Sequence, residues 1–227
     1  MLALLGLLLG FSVSLAVDRF DARKQLVIEE ANAIGTAELR ARLLPEPASS
    51  QSRALYAQYL DRRLEWGEAA GDEASQRRLA SEAGEIQARL WRLALDGAAS
   101  TPAPIVTFYA GALNEVIDRE AERAQMRLNR VPETVLLLLA ATTLLANALF
   151  AGVLGRNARK RTLDLHALAF ATWLVIALIV DLDQPRRGWV QISQEPLRRL
   201  QADWADPTAP RSATDRREAT PTAAQVP

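Results

Sequence analysis

Residues 135–154, VLLLLAATTLLANALFAGVL, decide the fold class. The stretch holds eight leucines and no Asp, Glu, Lys or Arg, and its polar members are Thr142, Thr143 and Asn147. About 20 apolar residues at 1.5 Å rise match the ~30 Å hydrocarbon core of a bilayer. At roughly −0.5 kcal/mol per central leucine, the leucines outweigh one asparagine and insertion is favourable. Residues 2–17, LALLGLLLGFSVSLAV, and 165–180, LHALAFATWLVIALIV, repeat the pattern. A small soluble protein would have to bury three such helices on every side. The sequence therefore predicts an all-α membrane protein with about three transmembrane helices, at 1–17, 133–155 and 164–182.

Outside these stretches the chain is polar, so its mean hydropathy of −0.03 averages over two solvents and decides nothing. Basic and acidic residues balance at 27 each, which leaves no global field to attract nucleic acid. Cysteine is absent and His166 is the single histidine. Disulfides, thiolate catalysis and Cys-ligated metals are thereby excluded, and a His-based metal site is disfavoured. Ser14-Leu15-Ala16 resembles a leader-peptide cleavage site, but no Lys or Arg precedes the apolar run; Arg19, Arg23 and Lys24 follow it. That order suits an uncleaved anchor whose C-terminal flank stays in the cytoplasm.

Residues 18–131 show helical periodicity and no strand alternation, and are read as a helical extramembrane insert. Val27, Ala31, Ile34, Ala41 and Leu44 share one helix face, and Pro45 and Pro47 end that helix. A second helix is predicted over 53–66, with Tyr56, Leu60 and Leu64 inward. Gly67 and Gly71 separate it from a third carrying Leu79, Ala83, Ile86, Leu90 and Leu93. After a break at 97–104, a fourth carries Ala110, Leu113, Ile117, Ala121, Ala124, Leu128 and Val131. Such stripes suit a bundle core, and secondly an Ala-rich seam between chains. Pro132 suits the first turn of the next helix. The short link at 156–161 makes the second and third spans an antiparallel hairpin. Residues 183–205 are predicted as an amphipathic cytoplasmic segment with a short helix at 195–204. The Pro/Thr/Ala/Arg-rich tail, 206–227, has almost nothing to bury and is predicted to be disordered.

Basic residues near the span ends set the orientation. Arg19, Arg23, Lys24, Arg119, Arg123, Arg127, Arg130, Arg186, Arg187, Arg198 and Arg199 flank the insert and C-terminus, against Arg156, Arg159, Lys160 and Arg161 on the other side. The positive-inside rule predicts a cytoplasmic insert. There is no Gly-rich phosphate loop, zinc-protease motif or nucleophile elbow, so neither catalysis nor a cofactor is expected. His166 beside Asp164 reads as a wetted interfacial histidine before a proton relay. Asp181 and Asp183 read as the return to water, with a cation or structural site at the membrane edge as the sharper alternative. Gly6 and Gly10 have the GxxxG spacing that permits close approach of another helix. Gly35 inside a helix costs about 1 kcal/mol against Ala, which suggests that something needs its closeness.

Residues 10–20 (GFSVSLAVDRF), 30–44 (EANAIGTAELRARLL) and 114–118 (NEVID), with Asp181-Leu182-Asp183, Pro185, Gly188 and Ser193-Gln194, resemble the bacterial bestrophin-like family. That family is a domain of unknown function, distantly similar to bestrophin anion channels. The resemblance covers nearly the whole chain except the tail, and EANAIGT is its most specific piece. It marks Glu30, Asn32, Gly35, Asn114, Glu115, Asp181, Asp183 and Pro185 as family-motif residues. Bestrophins carry a similar Gly-Phe-x-Val-Ser/Thr-Leu-x-Val-x-Arg-aromatic run in the helix that lines the pore neck. The resemblance thus implies Ala3, Leu7 and Phe11 as pore-lining residues, and their steps of four share a helix face; the alternative is that these apolar residues face lipid or neighbouring helices. It also implies four spans, of which Met1 would open the second, so a start upstream of Met1 or a shortened form is expected. The acidic calcium clasp of animal bestrophins has no counterpart in this sequence.

The expected function is an oligomeric, bestrophin-like anion or small-ion channel of the bacterial inner membrane. Its expected partners are the lipid bilayer, further copies of the chain and small anions, without nucleic acid, cofactor or metal. The alternative is a membrane-anchored helical sensor or scaffold without catalytic activity.

Overall fold

The computed structural model describes residues 2–69, 72–98, 101–128, 133–154, 162–183 and 191–205. These form α1 (Leu2–Ala41), α2 (Ala48–Glu68), α3 (Glu73–Gly97), α4 (Ala103–Leu128), α5 (Glu133–Leu154), α6 (Thr162–Asp183) and α7 (Glu195–Ala205). The 40 residues of α1 rise about 60 Å at 1.5 Å each. The helix passes without a break through residues 17 and 18, because no proline interrupts it before Pro45. At its end the Leu43 and Leu44 N–H groups turn back to the Arg40 and Ala41 carbonyls, at 3.0 and 3.2 Å.

Both cores of the molecule are built against this one helix. Near its start, Leu9 and Ala16 pack with Leu139 and Ala146 of α5 and Ile179 and Leu182 of α6. The small Ala16 and Ala146 side chains allow the backbones to approach closely. Further along, Val27, Ala31, Ile34, Ala37 and Ala41 pack with Tyr56, Tyr59 and Leu60 of α2, Ala83 and Leu90 of α3, Leu113 and Val116 of α4, and Leu197 of α7. Arg23 sits at the junction. Its Nη1 donates to the Leu182 carbonyl at 3.3 Å, in the last turn of α6 where helix carbonyls lack intrahelical partners.

The helices of the insert form where periodicity predicts them, with longer ends. α2 starts at Ala48 rather than near Arg53. α3 starts after Asp72, whose Oδ1 accepts from the Ala74 and Ser75 N–H groups at 3.0 and 3.2 Å, a side-chain N-cap. α4 departs from its expected stripe. Leu113 is buried, but Ala121 and Ala124 are exposed, and the inward line runs Tyr109, Leu113, Val116 and then Arg123. Apolar periodicity fails there because charge pairing, rather than hydrophobic burial, holds the second half of α4.

Leu137, Leu138, Leu144 and Leu145 of α5 and Phe170, Trp173, Leu174 and Leu178 of α6 are exposed. Among the described residues no helix is long and apolar enough to cross a membrane. The side chains of residues 1–5, 136, 149–165 and 168 lie outside those described, as do the link at 156–161 and the tail from 206.

Candidate functional site

One side of α1 is left uncovered along most of its length. Leu7, Phe11, Ser14, Asp18, Asp21, Gln25, Asn32, Thr36 and Leu39 are exposed, at steps of three, four and seven that keep them on one face. The buried set, Leu9, Ala16, Arg23, Val27, Glu30, Ile34, Ala37 and Ala41, lies opposite. Leu7 is 56% and Phe11 68% exposed. Ala3 shares their face by spacing, and its side chain lies outside those described. The Ser12 hydroxyl donates to the Leu8 carbonyl at 2.8 Å, so along the apolar turns the exposed hydroxyl residue is Ser14. After these turns come two exposed acids, Asp18 and Asp21, with the exposed Lys24 at the edge of the face three residues after Asp21. Glu29, at its edge, is paired with Arg119 at 2.9 Å.

What fixes the rotation of α1 is a buried ionic cluster on its other side. Glu30 is fully buried and accepts from Arg63 Nε at 2.5 Å and from Arg123 Nη1. Arg63 also donates through Nη1 to Glu120 at 3.1 Å. The Glu120 carboxylate accepts in addition from the Tyr59 hydroxyl, at 3.3 Å, and from Gln87 Nε2. The guanidinium groups of Arg63, Arg123 and Arg127 lie 4.6, 5.0 and 5.5 Å from the Trp66 ring centroid, within cation–π range. Arg123 Nη2 donates to Gln194 Oε1 ahead of α7.

Burial pushes the Glu30 carboxyl up, but Arg63 and then Arg123 outweigh it and hold the group below its ordinary value. Burial likewise opposes the charge on Arg63, and Glu30 reverses that effect. Arg123 goes the other way. Its burial, with Arg63 close by, prevails over Glu30 and lowers it. Guanidinium groups from α2 and α4 thus converge on one carboxylate of α1, and a buried charge that has lost its partners is strongly destabilising. The cluster acts as a clamp.

Two of the family-motif residues take part in packing that the structure explains. Glu30 anchors the clamp. Gly35 makes room for α7, since a Cβ there would lie 3.2 Å from Leu200 Cδ1. Asn32, Asn114 and Glu115 are exposed, and Glu115 pairs with Arg119 at 2.7 Å. Asp181 is half-buried in the last turn of α6. The Asp183 side chain and Pro185 lie outside the described residues. The motif residues are therefore spread over several places rather than gathered in one pocket. Among the described residues no group of His and carboxylates could hold a metal ion. Sequence reading missed Arg63, Trp66, Glu120 and Arg123. The signal available was a charge in an apolar register: Arg63 falls three residues after Leu60 and seven after Tyr56, inside the buried stripe of α2.

A family model, the Bestrophin-like domain, matches residues 3–197. No curated protein matches the chain. Among solved structures, a bacterial bestrophin homologue from Klebsiella pneumoniae matches at 16% identity and a TM-score of 0.73, over 92% of this chain and 86% of that one. A single-substitution variant of the Klebsiella homologue matches at 17% identity and 0.72, over 92% and 85%. At such identity the likeness shows a shared fold. With a match over residues 3–197 of 227, the chain belongs to the family of proteins built on a Bestrophin-like domain.

Proposed function

We propose that the chain is one subunit of an oligomeric ion channel, with spans at 1–17, 133–155 and 164–182 and with the uncovered face of α1 as the pore wall. The observation that carries this reading is the single stripe from Leu7 to Thr36, which changes from apolar to acidic and polar and which no other described part of the chain covers. Asp18 and Asp21 lie beyond the span at 1–17, in water, and continue the line of Leu7 and Phe11 on the same face. A ring of copies turns both halves of the stripe toward water. Leu7 and Phe11 then form an apolar constriction that gates by dewetting, and Asp18 and Asp21 form carboxylate rings next to it. Carboxylate rings favour cations, so the charge on this face argues for cations over the small anions that the family resemblance suggests. Family membership and the fold shared with a bacterial bestrophin homologue support the channel reading, and among the described residues no convergent catalytic set competes with it.

Purified protein reconstituted into liposomes under a sodium chloride gradient tests this. The expected current reverses toward the sodium equilibrium potential. Replacing both acids, Asp18→Asn with Asp21→Asn, is expected to shift the reversal toward chloride. Phe11→Ala is expected to raise basal current. Absence of flux in both wild type and Phe11→Ala would sink the channel reading.

A further inference from the structure

Beside Trp66 lies a recess of about 40 Å³, lined by Arg23, Arg123 and Arg127 with Leu26 and Met126 as apolar walls. The nearby carboxylates of the clamp are already engaged. Glu30 is shared by Arg63 and Arg123, and Glu120 is engaged by Arg63. Arg127 lies against the Trp66 ring without a carboxylate, and its buried Nε has no hydrogen-bond partner. An unpaired guanidinium N–H taken out of water is costlier than a neutral one. Arg123 is held below its usual value by burial, against the pull of Glu30, with Arg63 adding to the effect.

We propose that this recess binds a phosphate oxyanion, gripped by Arg127 and Arg123 with Arg23 beside them. Guanidinium forks match pairs of phosphate oxygens. The volume admits one compact oxyanion and nothing the size of a nucleotide. Two sources share this chemistry. One is inorganic phosphate. The other is the headgroup of an anionic phospholipid, suggested by the Arg23 bond to the Leu182 carbonyl at the end of α6. The lipid source rests on the membrane placement proposed above, and the phosphate chemistry does not.

The full chain, purified in neutral detergent, is titrated at constant ionic strength with sodium phosphate against sodium chloride. In parallel it is titrated with short-chain phosphatidylglycerol against phosphatidylcholine of equal chain length. The thermal unfolding midpoint is read throughout. A saturable rise with phosphate or with phosphatidylglycerol is expected, and not with the matching control. Arg127→Gln is expected to weaken the apparent affinity about tenfold or more, and Arg127→Lys by less. Should the Gln variant not fold, the Lys variant carries the comparison. A response to phosphate alone identifies the free ion, and a response to phosphatidylglycerol alone identifies the headgroup. No saturable response to either, or one that both Arg127 variants leave intact, overturns the site whether or not the protein conducts ions.

Discussion

Glu30 serves two guanidinium groups at once, and that sharing makes it the most consequential single residue of the insert. Glu30→Ala leaves Arg63 and Arg123 buried without their common partner, and we expect a loss of about 3–5 kcal/mol, read from the denaturant midpoint in detergent. The pH dependence has a definite sign. Burial raises the Glu30 carboxyl, but Arg63 and Arg123 more than offset it, so the folded state keeps the group ionised to lower pH than the unfolded chain does. Its contribution is complete above the ordinary carboxylate range and is lost as pH falls below about 4. A Glu30→Gln variant should therefore lose less stability than wild type between pH 5 and 3 (about two pH units centred on that range). The sequence marks Glu30 through its family resemblance alone. Its partners stay hidden, because a buried arginine has no periodic signature apart from sitting where a leucine would serve.

At the scale of elements, two glycines record how closely the helices meet. A Cβ at Gly67 would lie 2.6 Å from Gln194 Oε1 and 2.8 Å from its Cδ. Gln194 is buried and bonded to Arg123, so it cannot swing away without breaking the clamp. Gly67→Ala should destabilise by about 1–3 kcal/mol through overpacking. Gly84→Ala, in α3 with open space around it, should stabilise by about 0.5–1 kcal/mol through helix propensity. Chemical denaturation of the two variants side by side checks the contrast. Helix positions at this scale were largely readable: the apolar faces of α1, α2 and α3 fall where their spacing puts them. α4 was not, since its inward turns are polar. Nor did spacing show that α1 is one continuous helix, because a change from an apolar to a polar run leaves no mark on a helix that no proline interrupts. The acids on its exposed face were legible individually, as Asp18 and Asp21, but only the direction of the buried side shows that they continue the line of Leu7 and Phe11.

The whole molecule hangs two cores on one long helix and leaves that helix's other side bare. We expect copies of the chain to complete this shape, with a native mass in detergent of at least twice the 24.9 kDa chain. A purely monomeric mass would remove the pore between subunits. The most direct test uses the absence of cysteine, since a single introduced thiol then reports on one position. Phe11→Cys protein, reconstituted into liposomes, is treated with a charged, membrane-impermeant thiol reagent while flux is recorded. If the bare face of α1 is the pore wall, the reagent reaches residue 11 from water and flux falls sharply, while the cysteine-free wild type is unaffected. A thiol at residue 11 that stays unmodified, or is modified without any change in flux, would contradict the placement of this face in a pore.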